Sequence, residues 1–434
     1  MNGRLSLYSP YKPMSHTTWF THDRFGLFIH WGLYALPARH EWIRNHERIS
    51  NEAYQKYFDH FNPDLYDPEA WAQQAKAAGM KYVVLTSKHH DGFCLWDSDL
   101  TDYKATNTPY GRDLIAPYVA AFRAAGLKIG FYHSLIDWHH PDYPVDGLHP
   151  LRDDLAFRQQ EAGRDMARYR AYLHGQTREL LTRYGKIDVI WFDFSYPYMD
   201  WGWAKGKGRN DWHSEELLAM VRELQPGILV NNRLDLPGDF ETPEQYQPFG
   251  AVEVDGQRVV WEACQTLNGS WGYHRDNLNW KSPEMLIQML VDTVAKDGNL
   301  LLNVGPNGRG EFEPRASERL AAMGEWLRLH GRAIYGCGPS DFVAPPDCRL
   351  TQNGKRLYVH LFAYPFRDLH LPGLAGKVAY AQFLHDASEL LLHEHDNNNP
   401  STIAPKGMPP NTLTLELPVQ KPAVAVPVVE LFLR

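Results

Sequence analysis

Residues 81–93 read KYVVLTSKHHDGF, and this stretch decides the fold class. From Tyr82 to Thr86 the run is almost wholly apolar and of strand length. An unbroken run of this kind suits a strand buried on both faces, as in a parallel sheet wrapped by helices. It ends in Lys88-His89-His90-Asp91, a cluster of polar and titratable groups. Just upstream, residues 68–79 (PEAWAQQAKAAG) carry Pro at the start, Ala-rich filling and Gly as a stop, which is a helix pattern. Helix, short junction, buried strand and polar strand end together make one repeating unit.

The unit recurs in both directions. Strands are predicted at 25–30, 81–87, 127–133 (LKIGFYH), 187–193 (IDVIWFD), 228–231 (ILVN), 259–265 and 299–304. Helices fall between them. Residues 113–126 carry Asp113 as N-cap candidate and repeat the AAG-(Met/Leu)-Lys junction. Residues 282–297 begin Ser-Pro-Glu and place Leu286, Met289, Leu290, Thr293 and Val294 on one face. Seven strands alternating with helices fit a TIM-like (β/α)-barrel better than an open sheet, and no glycine-rich phosphate loop follows the first strand. An eighth strand is not legible, which leaves an irregular barrel open. After Gly336 the runs become short and several alternate: 357–362, 377–384, 389–393, 412–417 and 423–433. Leu413, Leu415 and Leu417 would share a face. The expected architecture is therefore a catalytic barrel over 1–336 and a small antiparallel β-sandwich over 337–434, with 397–400 (NNNP) a loop.

Bulk properties narrow the partners. The 434 residues carry a net charge of −8 and no long basic run, which argues against nucleic acid or an anionic membrane surface. Residues 1–16 lack the apolar core of a signal peptide, and no run of about twenty apolar residues is present, so a cytoplasmic, non-membrane protein is expected. Four cysteines form no close-spaced metal or redox motif, although Cys337 and Cys348 lie near each other in sequence. Fourteen Trp and 23 Tyr have two readings: core anchors, or planes on which the C–H face of a sugar stacks.

In a (β/α)-barrel the chemistry sits at the C-terminal ends of the strands. Those ends carry His30-Trp31, Lys88-His89-His90-Asp91, His133-Ser134, Trp191-Phe192-Asp193, Asn231-Asn232-Arg233, and Glu262 beside Trp261. Nearly every strand ends in a group able to hydrogen-bond a sugar hydroxyl. Asp193 is the sharpest of them. Period two sets it on the face of Trp191, and the following Phe-Ser-Tyr-Pro starts no helix for it to cap. Glycoside cleavage needs a second carboxyl, and Glu241, Glu244 and Glu262 are the candidates downstream. Glu244 lies in a loop, whereas Glu262 sits within a predicted strand. A metal-dependent hydrolase is the rival, built on His30, His89, His90 and His133 with Asp193. Against it, no H-x-H or H-E-x-x-H spacing occurs, and strand alternation would point His89 and His90 to opposite faces.

At these residues the chain resembles the α-L-fucosidases of glycoside hydrolase family 29, over about 19–338. The resemblance is carried by Trp19-Phe20 with Arg24-Phe25-Gly26-Leu27-Phe28-Ile29-His30-Trp31-Gly32, by Ser87-Lys88-His89-His90-Asp91-Gly92-Phe93, and by Gly130-Phe131-Tyr132-His133-Ser134. Trp191-Phe192-Asp193, Ser270-Trp271-Gly272-Tyr273 and Leu301-Leu302-Asn303-Val304-Gly305-Pro306 follow in order. The resemblance implies a retaining exo-α-L-fucosidase acting on fucosylated oligosaccharides or glycoconjugates through a covalent fucosyl-enzyme, with no cofactor and no metal. It makes Asp193 the nucleophile and Glu244 the acid/base, with Glu262 the second choice. It assigns the fucose pocket to His30, Glu41, Trp42, His89, His90, His133, Trp191, Arg233 and Trp271. Three positions depart from the family pattern: Phe194 stands where many members have Gly, Asn231-Asn232-Arg233 where Asn-Asp-Arg is usual, and His40-Glu41-Trp42 where Ser-Glu-Trp is. A fucose-binding protein without turnover is the other alternative. Aglycone preference is expected in the rim loops 138–150 and 196–210, and a homo-oligomer is compatible with the chain.

Overall fold

A computed structural model of the chain describes residues 15–395, 401 and 406–434. Seven parallel strands form one curled sheet: β1 (Phe25–Ile29), β2 (Tyr82–Lys88), β3 (Lys128–Ser134), β4 (Val189–Asp193), β5 (Leu229–Val230), β6 (Glu262–Thr266) and β7 (Asn299–Val304). Their order is β5-β4-β3-β2-β1-β7-β6, every pair parallel. The main crossover helices are α1 (Pro68–Ala77), α2 (Ile115–Ala124), α3 (Met166–Arg183), α4 (Ser214–Leu224) and α5 (Pro283–Ala295), and α6 (Pro314–His330) follows β7. Their starts follow from local chemistry. Asp67 accepts the Ala70 N–H, Asp165 that of Ala167, and Ser282 that of Met285, each satisfying a donor the helix cannot. Ahead of α2 the cap position is Leu114 rather than Asp113, yet Asp113 still accepts the Ile115 and Ala116 N–H groups at 2.7 and 3.0 Å.

Strand alternation sorts the buried residues into two clusters. Leu27 and Ile29, Val83 and Leu85, Ile129 and Phe131, and Ile190 and Phe192 pack outward into one core with the helices. Phe28, Tyr82, Val84, Tyr132, Val189, Trp191, Leu229, Cys264 and Leu301 are off phase and form a second cluster. Every strand contributes to this second set, so it is the interior of the sheet's curl. Packing there is close: a Cβ on Gly26 would fall 2.3 Å from the Tyr82 ring, which explains glycine at that point of β1.

The gap between edge strands β5 and β6 is bridged by residues 239–245. Asp239 N–H donates to Val230 O, Glu241 N–H to Val260 O, and Gln245 N–H to Cys264 O; Glu262 and Cys264 donate back to Glu241 O and Pro243 O. The resulting contacts are parallel bridges, Asn231 with Phe240, Glu241 with Trp261 and Glu244 with Cys264. The segment containing Glu244, expected as a loop, is thus an irregular eighth stave. Pro243 has no N–H to extend a regular ladder.

The C-terminal sheets are antiparallel. β8 (Gly338–Pro339), β9 (Cys348–Asn353), β10 (Arg356–Leu361), β12 (Val378–Phe383) and β15 (Val428–Leu433) form one sheet; β11 (Asp368–Leu371), β13 (Leu391–Glu394) and β14 (Leu413–Glu416) form the other. Val359, Leu361 and Leu431 from the first meet Leu369, Leu371, Leu413 and Leu415 from the second in one buried cluster. Strands β8, β9 and β11 were not expected from the sequence. Trp326 of α6 donates to Val426 O and Arg349 pairs with Asp292 at 2.6 Å, which fastens this unit to the barrel. All four cysteines are free and buried, so Cys337 and Cys348 are not paired. Among the described residues no helix is long and apolar enough to cross a membrane. The 397–400 loop and residues 1–14 lie outside the described residues.

Candidate active site

Asp193 ends β4 and points into the mouth of the barrel, where it is 9% exposed. Tyr132 OH donates to its Oδ2 at 2.8 Å, and Arg233 donates to its Oδ1 at 3.1 Å. Burial raises its pKa to about 6; Arg233 and the Tyr132 hydroxyl oppose the rise, while Glu244 adds to it. The lining of the pocket around it includes His30, Trp42, His89, His90, Trp191 and Trp271.

The hydrogen-bond network fixes two imidazole tautomers. Asn303 uses its amide N–H on Trp271 O (2.7 Å), so its carbonyl oxygen accepts from His30 Nδ1–H at 2.7 Å. Ser134 spends its hydroxyl hydrogen on Ile136 O, so its oxygen accepts from His90 Nδ1–H at 2.6 Å. Both rings therefore present Nε2 as an acceptor. Burial lowers the pKa of His30 to about 3 and holds His89 and His90 well below the ordinary histidine value, so all three are neutral at pH 7. His90 Nε2 faces Asp193 Oδ2 at 3.7 Å. Two acceptors at that separation suit a donor hydroxyl placed against both.

Arg233 follows β5 and ties the two acidic segments together. Its Nη1 reaches Asp193, its Nη2 donates to Glu244 Oε2 at 2.8 Å, and its Nε donates to Thr242 Oγ1 at 2.7 Å. The guanidinium also lies over the Trp191 ring, 4.9 Å from its centroid. One guanidinium thus holds both carboxylates, one on each terminal nitrogen. They differ in surroundings: the Asp193 side chain is 13% exposed and that of Glu244 is 40%.

Four expectations need restating. His89 and His90 do not diverge; their ring centroids are 4.1 Å apart and both line the pocket. Regular β2 pairing ends at Lys88, and Gly92 N–H bonds back to His89 O, so the two sit on a turn where alternation no longer applies. His133 is not in the pocket. It is off phase with Trp191 and Asp193 and packs outward against Trp96 with Nδ1 on Ser87 Oγ. Its neighbour Tyr132 takes the inward place, a residue that β3–β4 alternation would have indicated. Glu262 lies beneath the pocket, receiving Tyr82 OH and, at 3.3 Å, Trp191 Nε1; burial pushes its pKa up to about 7. Glu41 is also buried and does not line the pocket: Oε2 accepts the Trp271 and Gly272 N–H groups, holding the Trp271 loop, and burial raises its pKa to about 7. Among the described residues no group of three or more His, Cys, Asp or Glu is arranged to hold a metal ion, so the metal-hydrolase alternative finds no ligand set there.

Phe194 adds a feature that sequence spacing does not carry. Its φ is +88°, in the region that favours glycine, and its ring packs on Trp42, His90 and Tyr196 at 5.1–5.5 Å. A glycine would adopt this φ without strain.

Comparison with known proteins places this arrangement. The family model described as α-L-fucosidase matches residues 9–332. Tissue α-L-fucosidase of Rattus norvegicus is 33% identical over 350 residues, covering 74% of this chain and 70% of its own. Among solved structures, α-L-fucosidase isoenzyme 1 from Paenibacillus thiaminolyticus superposes with a TM-score of 0.89 at 48% identity, covering 97% of this chain and 99% of that one. A family 29 α-L-fucosidase from Bacteroides thetaiotaomicron, trapped as a covalent intermediate with 2-fluoro-fucosyl fluoride in a mutant, gives 0.81 at 29% identity, covering 98% and 97%. With its barrel, its pocket and these matches taken together, the chain belongs to the α-L-fucosidase family, glycoside hydrolase family 29.

Proposed function

We propose that the chain is a retaining exo-α-L-fucosidase that releases terminal α-L-fucose from fucosylated oligosaccharides or glycoconjugates. Asp193 is the nucleophile and Glu244 the acid/base. The observation that carries the reading is the shared guanidinium of Arg233, which holds a buried and a half-exposed carboxylate side by side. A retaining pair stands about 5–5.5 Å apart, whereas an inverting pair needs roughly 6.5–9.5 Å to admit water.

In the first step the ionised Asp193 attacks the anomeric carbon while protonated Glu244 gives its proton to the departing oxygen. In the second, Glu244 takes a proton from water, which displaces fucose from Asp193. Arg233 and Tyr132 oppose the burial of Asp193 and favour its ionised form, and Glu244 is the more exposed of the two carboxyls. The acceptor faces of His30 and His90 receive sugar hydroxyls, and Trp191 and Trp271 offer planes to the ring. Glu41 acts through Trp271, whose loop it holds.

Hydrolysis of p-nitrophenyl α-L-fucoside by the wild type and by Asp193→Gly, with and without azide, tests this. Wild-type turnover, its loss in the variant, and azide-dependent recovery with formation of the β-fucosyl azide are expected. Variant turnover equal to wild type would remove Asp193 from the mechanism.

A further inference from the structure

At Glu244 the pocket holding Asp193 meets a second cavity of 390 Å³. Arg233 and Glu244 form its inner wall; Asn232, Glu241, Tyr246 and Val252 lie beyond. A general acid must stand within hydrogen-bond reach of the oxygen it protonates, and here that oxygen joins fucose to its leaving group. With the fucose ring against Asp193, the group on the other side of that oxygen extends past Glu244. The larger cleft of 620 Å³ beside Trp203 shares no lining residue with the pocket, and Tyr196, 1% exposed, stands between them with its hydroxyl on Asp146.

We propose that the 390 Å³ cavity is the leaving-group subsite and takes a hydroxyl-bearing sugar ring, with Tyr246 as its stacking face and Glu241 as a hydrogen-bond acceptor. The proposal rests on the assignment of Glu244 as acid/base. Tyr246 is 59% exposed, yet the backbone beneath it is fixed: Gln245 N–H donates to Cys264 O, and Gln265 Nε2 donates to Tyr246 O at 2.9 Å. An aromatic face on an anchored backbone binds with little ordering cost. Glu241 is held by the Asn232 amide on Oε2, and its Oε1 has no hydrogen-bond donor among the described residues. Asn232 accepts from Thr242 Oγ1 at 2.9 Å as it donates to Glu241. An aspartate at this position would instead set two carboxylates in contact. The amide therefore keeps Glu241 as an available acceptor at the cavity wall.

The test compares two substrates. α-L-Fucosyl fluoride leaves only fluoride and does not occupy the cavity, whereas a fucosyl disaccharide does. For Tyr246→Ala the expected result is a loss of about tenfold in kcat/KM on the disaccharide, carried by KM, the scale of one lost stacking contact. Fluoride hydrolysis should stay within about twofold, since no aglycone contact is lost. Tyr246→Trp, which keeps an aromatic face, should restore the disaccharide rate. Equal losses on both substrates, or no loss on either, would overturn the subsite. A wild type inert on both would overturn the functional reading beneath it.

Discussion

Replacing Phe194 should invert the usual order of alanine and glycine. At an ordinary extended position glycine is the worse substitute by about 0.5–1 kcal/mol, because it adds freedom to the unfolded chain. Phe194 has φ +88°, where an L-residue bears about 1–2 kcal/mol of backbone strain that glycine does not. Both substitutions lose the same ring contacts with Trp42, His90 and Tyr196. Half-burial of a Phe and its aromatic neighbours sets that shared loss at roughly 2 kcal/mol. Alanine keeps the strain, whereas glycine sheds it and bears only the entropy term. Phe194→Gly should therefore be more stable than Phe194→Ala by about 0.5–1 kcal/mol. Calorimetric melting of the two variants under one condition reads this as a difference on the order of 1 °C for a chain of this size, glycine higher. Alanine melting at or above glycine would refute the claim that strain is held at this turn.

Glu244→Gln should lose about 10²–10⁴-fold in kcat/KM on a fucosyl disaccharide, the usual worth of a general acid, whereas Glu262→Gln should keep activity within about tenfold, because its carboxyl is turned toward Tyr82 and Trp191 beneath the pocket. Steady-state rates of the pair decide between the two candidate acids. Arg233→Met removes the cation that opposes the burial of Asp193, so the acidic limb of kcat/KM on fucosyl fluoride should move to higher pH; an unmoved limb would mean Arg233 does not set that ionisation. His330 and His360 are buried where α6 meets the sandwich, with pKa values lowered to about 4 and about 3. Above pH 6.5 both states leave them neutral; as pH falls below it the unfolded chain takes up protons first, so stability is lost, by roughly 3 kcal/mol for the pair at pH 5.5. Unfolding of the double Gln variant followed against pH should show a shallower slope in that window.

The long strands were legible because burial on both faces leaves an unbroken apolar run, as at 82–86 and 299–304. Residues 239–245 were not: this stave carries Glu241, Glu244 and Pro243 and is held by single bridges, so it has neither apolar run nor alternation. β9 and β11 escaped for a related reason. CRLTQN and DLHL are short and largely polar, and only the partner sheet shows which side is inward. Asp193, Trp191 and His30 were readable because they end buried strands in phase. His133 was misplaced by one residue of phase, since a scan for polar strand ends passes over Tyr132, whose hydroxyl is the group that reaches Asp193. The pairing of Asp193 with Glu244 through Arg233 joins residues 40 and 11 positions apart, and chain spacing holds no record of it.

Incubation of the wild type with 2-deoxy-2-fluoro-α-L-fucosyl fluoride, followed by mass spectrometry of the intact chain and of its peptides, tests the central claim most directly. The account predicts one added fluorofucosyl group per chain, carried by Asp193 and lost slowly as activity returns. A label on Glu244 or Glu262, or a fully active enzyme that never carries one, would contradict it.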